Sequence, residues 1–560
     1  MNVLGQKGLR LTTKEYFFLF LFLGSVLVIP VMDNKILPGH DYVFHVTRIL
    51  DVASALHEGI FPVRIYVDDI QFWGTPVGIF YPSLFIYIPA LLKLAGVPIE
   101  ICYNIFVALI FYIGVFSSWY GFYLLTKSKI TGLFSSILYV SSGWFLIDAY
   151  IRNALGELIA LTFLPLAVSC IIEFSVKQKV TINHYILGII SISATIQAHV
   201  LSSAFLALFA ILFLIIRLKT ISSNIIRRLF FLVLIIFCLN SFFIVPFLLF
   251  YVKVPVTIDY VDLFSHAGLS VSELLYLLVV SNYWLFISLC SFVLSYIKKY
   301  KTAAFFNPKN FYSKSFSHYR KFFLLGILFV FLSSNLMPWG GLSAVKRIFQ
   351  IMQFPWRFLG IATMFFCVCG GFGLRLFLKR AKLFNKSILL FLLIICLTNL
   401  VVLNLVRPLP FEKIPPKVSW ERKCSSTDDD YLYKDMNVQK LFAQGNRYYS
   451  NAEIFKFKKN LTSVSFSYFA RYNSSVTLPL VNYPGYVAVD QHGEIVAIDE
   501  NENHMMLIPL TQGYGEVHVQ YVGLKIFKIA DYTSLFTWVL FCGFVLKKCI
   551  NCYLQKKLVS

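Results

Sequence analysis

The sequence predicts a polytopic α-helical membrane protein with one polar, β-rich region near its C-terminus. Three observations predict it. The 560 residues are 58% hydrophobic and 17% aromatic, and only 14% are charged, against roughly 25% in soluble domains. The apolar residues fall into runs close to the ~20 residues that a helix needs to cross a bilayer. The formal charge is +22. In a soluble protein that excess points to nucleic acid. In a membrane protein it reports topology, because Lys and Arg are held on the cytoplasmic side.

Thirteen runs are candidate spans: 16–32, 79–97, 102–126, 131–147, 155–173, 182–198, 200–217, 229–251, 272–297, 322–337, 358–378, 387–405 and 531–547. The run 79–97 is the weak member. It holds Pro82, Pro89 and Lys93 and is followed by Pro98, and proline inside a helix removes a backbone bond and kinks it. It reads as a juxtamembrane or re-entrant element. About 12 TM helices remain, with both termini cytoplasmic and a long first outer loop, 33–100. The cytoplasmic segments then carry 27 basic residues and one acid, Glu15, and the rest of the chain is close to neutral at −4. The +22 thus has a location, and no nucleic-acid partner is expected. Lys7, Arg10 and Lys14 precede the first run and no small-residue cleavage site follows it, so that run reads as a retained anchor. Of the 11 Cys, the polar region holds only Cys424. Cys549 and Cys552 have no second Cys or His pair nearby, so no zinc site is expected.

Residues 406–530 form the one long polar stretch. Alternating patterns at Leu461–Tyr468, Ser475–Leu480, Tyr486–Asp490, Ile495–Ile498, Met505–Pro509 and Glu516–Tyr521 predict strands. Tyr483-Pro484-Gly485, Gln491-His492-Gly493 and Gly513-Tyr514-Gly515 supply the turns. The expectation is a C-terminal extracytoplasmic β-sandwich-like domain. It either caps a membrane site or binds glycan. The predicted domains are a transmembrane domain 1–405, this β-rich domain 406–530, and a last helix with a basic cytoplasmic tail, 531–560.

On the outer face, Asp41, His45 and Arg48 are spaced i, i+4 and i+7, one side of a helix. Val43, Val46, Ile49 and Leu50 supply an apolar side, which predicts an amphipathic interfacial helix. The alternative is Asp41 as an N-cap with the other two solvated. Glu157 opens the fifth run, where an ionisable group is costly and reads as functional. An Arg152–Glu157 ion pair that merely ends two helices is the other reading. His199 lies between two runs and is either a site residue or a structural one. The outer loop 338–357 carries Lys346 and Arg347 and ends in Gln353-Phe354-Pro355-Trp356-Arg357, where Arg357 can hold a lipid phosphate through its fork or simply anchor the interface. No Walker A, GxSxG or HExxH motif occurs. The internal loops are short and basic, so an activated donor has to be lipid-linked.

The segments Asp41 to Arg48, Gly59-Ile60-Phe61-Pro62-Val63-Arg64 and Phe80-Tyr81-Pro82-Ser83-Leu84 resemble the YfhO-like, "6-pyruvoyl-tetrahydropterin-synthase-related" bacterial membrane proteins. So do Arg152…Glu157, Phe354-Pro355-Trp356-Arg357 and Leu478-Pro479-Leu480 leading to Tyr483-Pro484-Gly485-Tyr486. These look like the GT-C class of glycosyltransferases, with an acidic residue in the first outer loop, here Asp41. The resemblance implies transfer of a sugar from a polyprenyl-phosphate carrier to an extracytoplasmic glycan, teichoic acid or lipid. It implies Asp41 as base, His45 as its partner and Glu157 as a positioning group. Arg357, with Arg48 or Arg152, would hold phosphate, and His199 would line the substrate. A divalent ion (Mg or Mn) on Asp41 and Glu157 is a further possibility; the paired acid Asp68-Asp69 lies later in the loop. The competing readings are a glycan or lipid transporter and a non-catalytic assembly factor for surface polymers.

Overall fold

The computed structural model describes residues 12–32, 39–67, 73–256, 268–277, 282–303, 311–339, 354–380, 388–406 and 431–559. Asp68, Asp69, Lys346, Arg347, Gln353 and Cys424 lie outside the described residues. The chain divides into two compact units. One comprises 1–42, 103–229 and 260–414; the other comprises 43–102, 230–259 and 415–560.

Among the described residues, six helices are long and apolar enough to cross a membrane: Ile99–Thr126, Leu155–Val176, Val200–Thr220, Ser223–Lys253, Pro355–Lys379 and Lys525–Gln555. Lys129–Val140 and Gly143–Tyr150, bent by 44°, add a seventh if read as one broken span. The runs 16–32, 182–198 and 387–405 carry helices of 15, 17 and 19 residues. The run 79–97 divides into Val77–Phe80, Leu84–Ile86 and Tyr87–Leu94. The break falls at Tyr81, held extended because the following Pro82 disfavours the helical region there.

In the first unit, Leu155–Val176 packs on Ile182–Ala198, and Phe358–Arg380 packs on Lys129–Val140, Tyr283–Ala303 and Phe311–Ser333. Close approach depends on small residues, as in other membrane bundles. A Cβ on Gly121 would come within 2.5 Å of the Pro165 and Leu166 backbone. At the far end of Leu155–Val176, buried Glu173 accepts from Lys127 at 2.6 Å and Lys177 at 2.7 Å, so the charge that the sequence places at a span boundary is paired.

Among the described residues the second unit contains nine antiparallel strands: β1 Tyr449–Ser450, β2 Glu453–Asn460, β3 Ser463–Ala470, β4 Ser474–Val481, β5 Tyr486–Asp490, β6 Ile495–Val496, β7 Asp499–Glu500, β8 Met505–Leu510 and β9 Gly513–Tyr521. They form two sheets, β1-β4-β8-β7 and β2-β3-β9-β5-β6. Alternate residues from both sheets (Val464, Phe466, Val476, Leu478, Ile508, Val517 and Val519) share one core. The six predicted strands are present. The patterning missed β1, β2 and β7. β2 reads Glu-Ile-Phe-Lys-Phe-Lys-Lys-Asn, a lysine-rich edge of the kind that resists sheet-to-sheet pairing. Trp73, fully buried, joins the same core, and its carbonyl accepts from the Val481 amide at 2.9 Å. Part of the long first loop thus belongs to the sandwich unit.

Candidate functional site

The site in the first unit is built on a short backbone pairing. The Asp41 amide donates to the Arg152 carbonyl at 2.8 Å. Gly39 lies so close to the Ile151 carbonyl and the Asn153 side chain that any Cβ would overlap both. Asn153 takes a left-handed φ of 56°, which asparagine tolerates better than most residues, and its amide side chain donates to the Tyr103 hydroxyl at 3.0 Å. This turn sets Arg152 at the end of Gly143–Tyr150 and starts the helix Leu155–Val176. Glu157 falls in the first turn of that helix, where the helix dipole favours a carboxylate.

Arg152 joins the two helices. Its Nη1 donates to Asp148 Oδ1, one helical turn earlier, and to Glu157 Oε2 at 3.0 Å. Its guanidinium lies over the Trp356 ring, 4.7 Å from the centroid, and Trp356 in turn leans on Trp144 at 5.6 Å. Arg357, next in sequence, brings its Nε to 3.8 Å from Glu157 Oε2. His199 caps the joint between Ile182–Ala198 and Val200–Arg217, with Nδ1 2.9 Å from Ser202 Oγ. Glu157, His199, Ser202, Arg357 and Gly360 line a cavity of about 20 Å³, room for about one water.

Asp41 and His199, both outside the spans, are perturbed. Burial raises the Asp41 carboxyl above the ordinary carboxylate range, and Arg152 and Arg357 pull it partly back. Burial, reinforced by Arg357, pushes His199 down to about 3, so the imidazole is neutral and can both donate and accept. Three carboxylates, two guanidiniums and a neutral imidazole thus gather at one end of the helices. A divalent ion on Asp41 and Glu157 fits this set poorly. One Glu157 oxygen, Oε2, already accepts from Arg152, and Arg357 stands beside it, so two cations already compete for that carboxylate. Among the described residues no group of three His, Cys, Asp or Glu side chains converges as a metal site.

The structure brings together Asp41, Arg152, Glu157, His199 and Arg357, five of the seven residues singled out in the sequence. It adds Asp148, fully buried. The i, i+4 spacing of Asp148 to Arg152 was its one sequence mark. The expected common face of Asp41, His45 and Arg48 is corrected: the helix is Tyr42–His57, and Asp41 precedes it. His45 and Arg48 belong to the second unit. Arg48 Nη2 donates to the Pro82 carbonyl at 2.6 Å, its Nη1 lies 3.4 Å from His45 Nδ1, and its guanidinium covers the Tyr81 ring at 4.3 Å. The polar side expected to face outward is instead buried within the protein: His45 is 1% and Arg48 2% exposed.

No protein-family model and no curated protein sequence matches this chain. Among solved structures, the arabinofuranosyltransferase AftD from Mycobacteria is similar, with 12% identity over 72% of this chain and 28% of that one, at a TM-score of 0.45. ArnT from Cupriavidus metallidurans, bound to undecaprenyl phosphate, is similar over 64% of this chain and 60% of that one, with 11% identity and a TM-score of 0.38. This chain spans less than a third of the length of AftD.

Proposed function

We propose that this chain is a membrane glycosyltransferase of the GT-C class that moves a sugar from a polyprenyl-phosphate carrier to an extracytoplasmic hydroxyl acceptor. The observation that carries the reading is the gathering of Asp41, Glu157, Arg152 and Arg357 at one end of a membrane bundle. A carboxyl raised by burial is a stronger proton acceptor than an ordinary carboxylate. Adjacent guanidiniums are suited to a phosphate. Support for a lipid-linked donor comes from an apolar groove of about 420 Å³ lined by Leu285, Phe286, Leu289, Phe323 and Phe366. Phe366 lies on the same helix as Gly360, which lines the polar cavity. The six steps from one to the other span about 9 Å along the helix.

In the proposed reaction, Asp41 takes the proton of the acceptor hydroxyl as its oxygen bonds to the anomeric carbon. The bond from that carbon to the phosphate oxygen breaks, and its electron pair leaves with the polyprenyl phosphate. Arg357, with Arg152, balances the charge gathering on the leaving phosphate. Glu157 and Asp148 hold Arg152 in place, and neutral His199 offers hydrogen bonds beside Glu157. Both termini are placed in the cytoplasm and the sandwich outside, on the support of the basic internal segments. The test is to compare cell-surface glycans, teichoic acids included, in cells carrying wild-type protein or Asp41→Asn. Loss of one glycan decoration with the variant normally inserted is expected. An unchanged glycan profile overturns the reading.

A further inference from the structure

The outer face of the five-stranded sheet carries a feature that the transfer reaction does not use. Outward positions on β3 are Ser463, Ser465, Ser467 and Phe469, alternating with core residues Val464, Phe466 and Tyr468. Across from them stand Tyr514 opposite Phe469, Glu516 opposite Ser467 and His518 opposite Ser465 on β9. Phe455 of β2 also pairs with Ser467. Because Ser467 is small, the rings on either side lean over it. Phe455 and Tyr514 come to 6.0 Å between centroids, parallel to 5°, and Phe469 joins Tyr514 at 6.2 Å. All three rings face solvent, Tyr514 at 68% exposure. The Ser467 hydroxyl, itself buried beneath the rings, donates to Glu516 Oε1 at 3.0 Å, which leaves Ser463 and Ser465 as the part-exposed serines of the floor. The result is an aromatic shelf continued by a serine-floored trough, with Glu516 and His518 on one bank and Lys458, opposite Ser465, on the other.

We propose that this shelf and trough bind an uncharged polysaccharide chain. Rings of this kind offer flat apolar faces to the C–H surface of a sugar. Hydroxyl, carboxylate and imidazole groups beside them supply the donors and acceptors that sugar hydroxyls require. Serine and glutamate are depleted from protein–protein interfaces, so a trough floored with serine suits a polyol better than a protein partner. Charge selects further. Glu453, opposite Phe469, and Glu516 stand beside the rings, and carboxylates there disfavour polymers rich in phosphate or uronate. The inference goes beyond the proposed transfer, because it concerns binding on the second unit alone.

The test uses the full chain in nanodiscs, titrated with uncharged hexasaccharides of glucose, mannose, galactose and arabinose and, separately, with poly(glycerol phosphate). Binding is read by saturation-transfer NMR and calorimetry. At least one uncharged hexasaccharide binds, and the exposed-face double variant Phe469→Ala/Tyr514→Ala weakens it by about tenfold or more with the melting temperature kept. Asp41→Asn leaves the affinity unchanged, which separates this site from the transfer reaction. Failure of every uncharged probe to bind overturns the proposal. So does equal binding by the polyanion, or binding indifferent to the double variant. Self-association that disappears in the double variant also overturns it, in favour of a second copy of the chain.

Discussion

Replacing Arg152 with glutamine tests what holds the proposed site together. Arg152 donates to both Asp148 and Glu157, whose side chains are 0% and 6% exposed. The substitution leaves two carboxylates in a poorly solvated place with no guanidinium between them. Breaking a buried pair by removing one partner costs about 3–5 kcal/mol, and the contact of Arg152 with Trp356 adds up to about 2 kcal/mol. For a unit of this size, that amounts to a fall of roughly 5–10 °C in Tm. Adding Asp148→Asn removes one stranded charge and should recover about 0.5–3 kcal/mol, the usual coupling between residues in contact. Cys170, Cys367, Cys369 and Cys396 are buried in the same unit, so a thiol-reactive fluorogenic dye reports its opening on heating in detergent. A single variant that melts with the wild type, or a double variant that melts below the single one, refutes this account of Arg152.

Three further outcomes follow from the same geometry. Burial raises the Asp41 carboxyl above its ordinary 3.8, so the folded state binds the proton more tightly than the unfolded one, and wild-type stability falls as pH rises through the folded value. Asp41→Asn should therefore melt above the wild type at pH 7.5, and the gap should close as pH is lowered towards 3.8; a gap of opposite sign refutes the assignment. Transfer should persist in excess EDTA, because Glu157 already accepts from Arg152; loss of rate restored by Mg or Mn would contradict this. A cysteine at exposed Tyr472 should react with an impermeant maleimide added to intact cells, and exposed Cys549 only after permeabilisation; the reverse pattern inverts the proposed topology.

Much of this arrangement was legible because ionisable residues are rare in apolar sequence. Glu157 and Arg152 stood out against their runs, and alternation marked β3, β4, β5, β8 and β9. Other features depend on tertiary contacts without a local signature. Asp148 sits within Gly-Trp-Phe-Leu-Ile-Asp-Ala-Tyr and looks like the end of a span until Arg152 folds back onto it. Arg48 resembled a phosphate ligand, yet it binds the carbonyl of Pro82, 34 residues away. No local pattern could announce that link. The second unit draws on three separated stretches of chain, and its core holds Trp73 beside Val481. A reading that divided the sequence at 405 could not anticipate that sharing.

The most direct measurement is a single-turnover assay of purified wild type and Asp41→Asn in nanodiscs, using short-chain polyprenyl-phosphate-linked glucose, galactose, N-acetylglucosamine and arabinose as donors. The account predicts that the variant inserts stably and binds the active donor, but transfers its sugar slower by about 10²–10⁴, the usual contribution of a general base. A stably inserted Asp41→Asn protein that transfers sugar at the wild-type rate would contradict it.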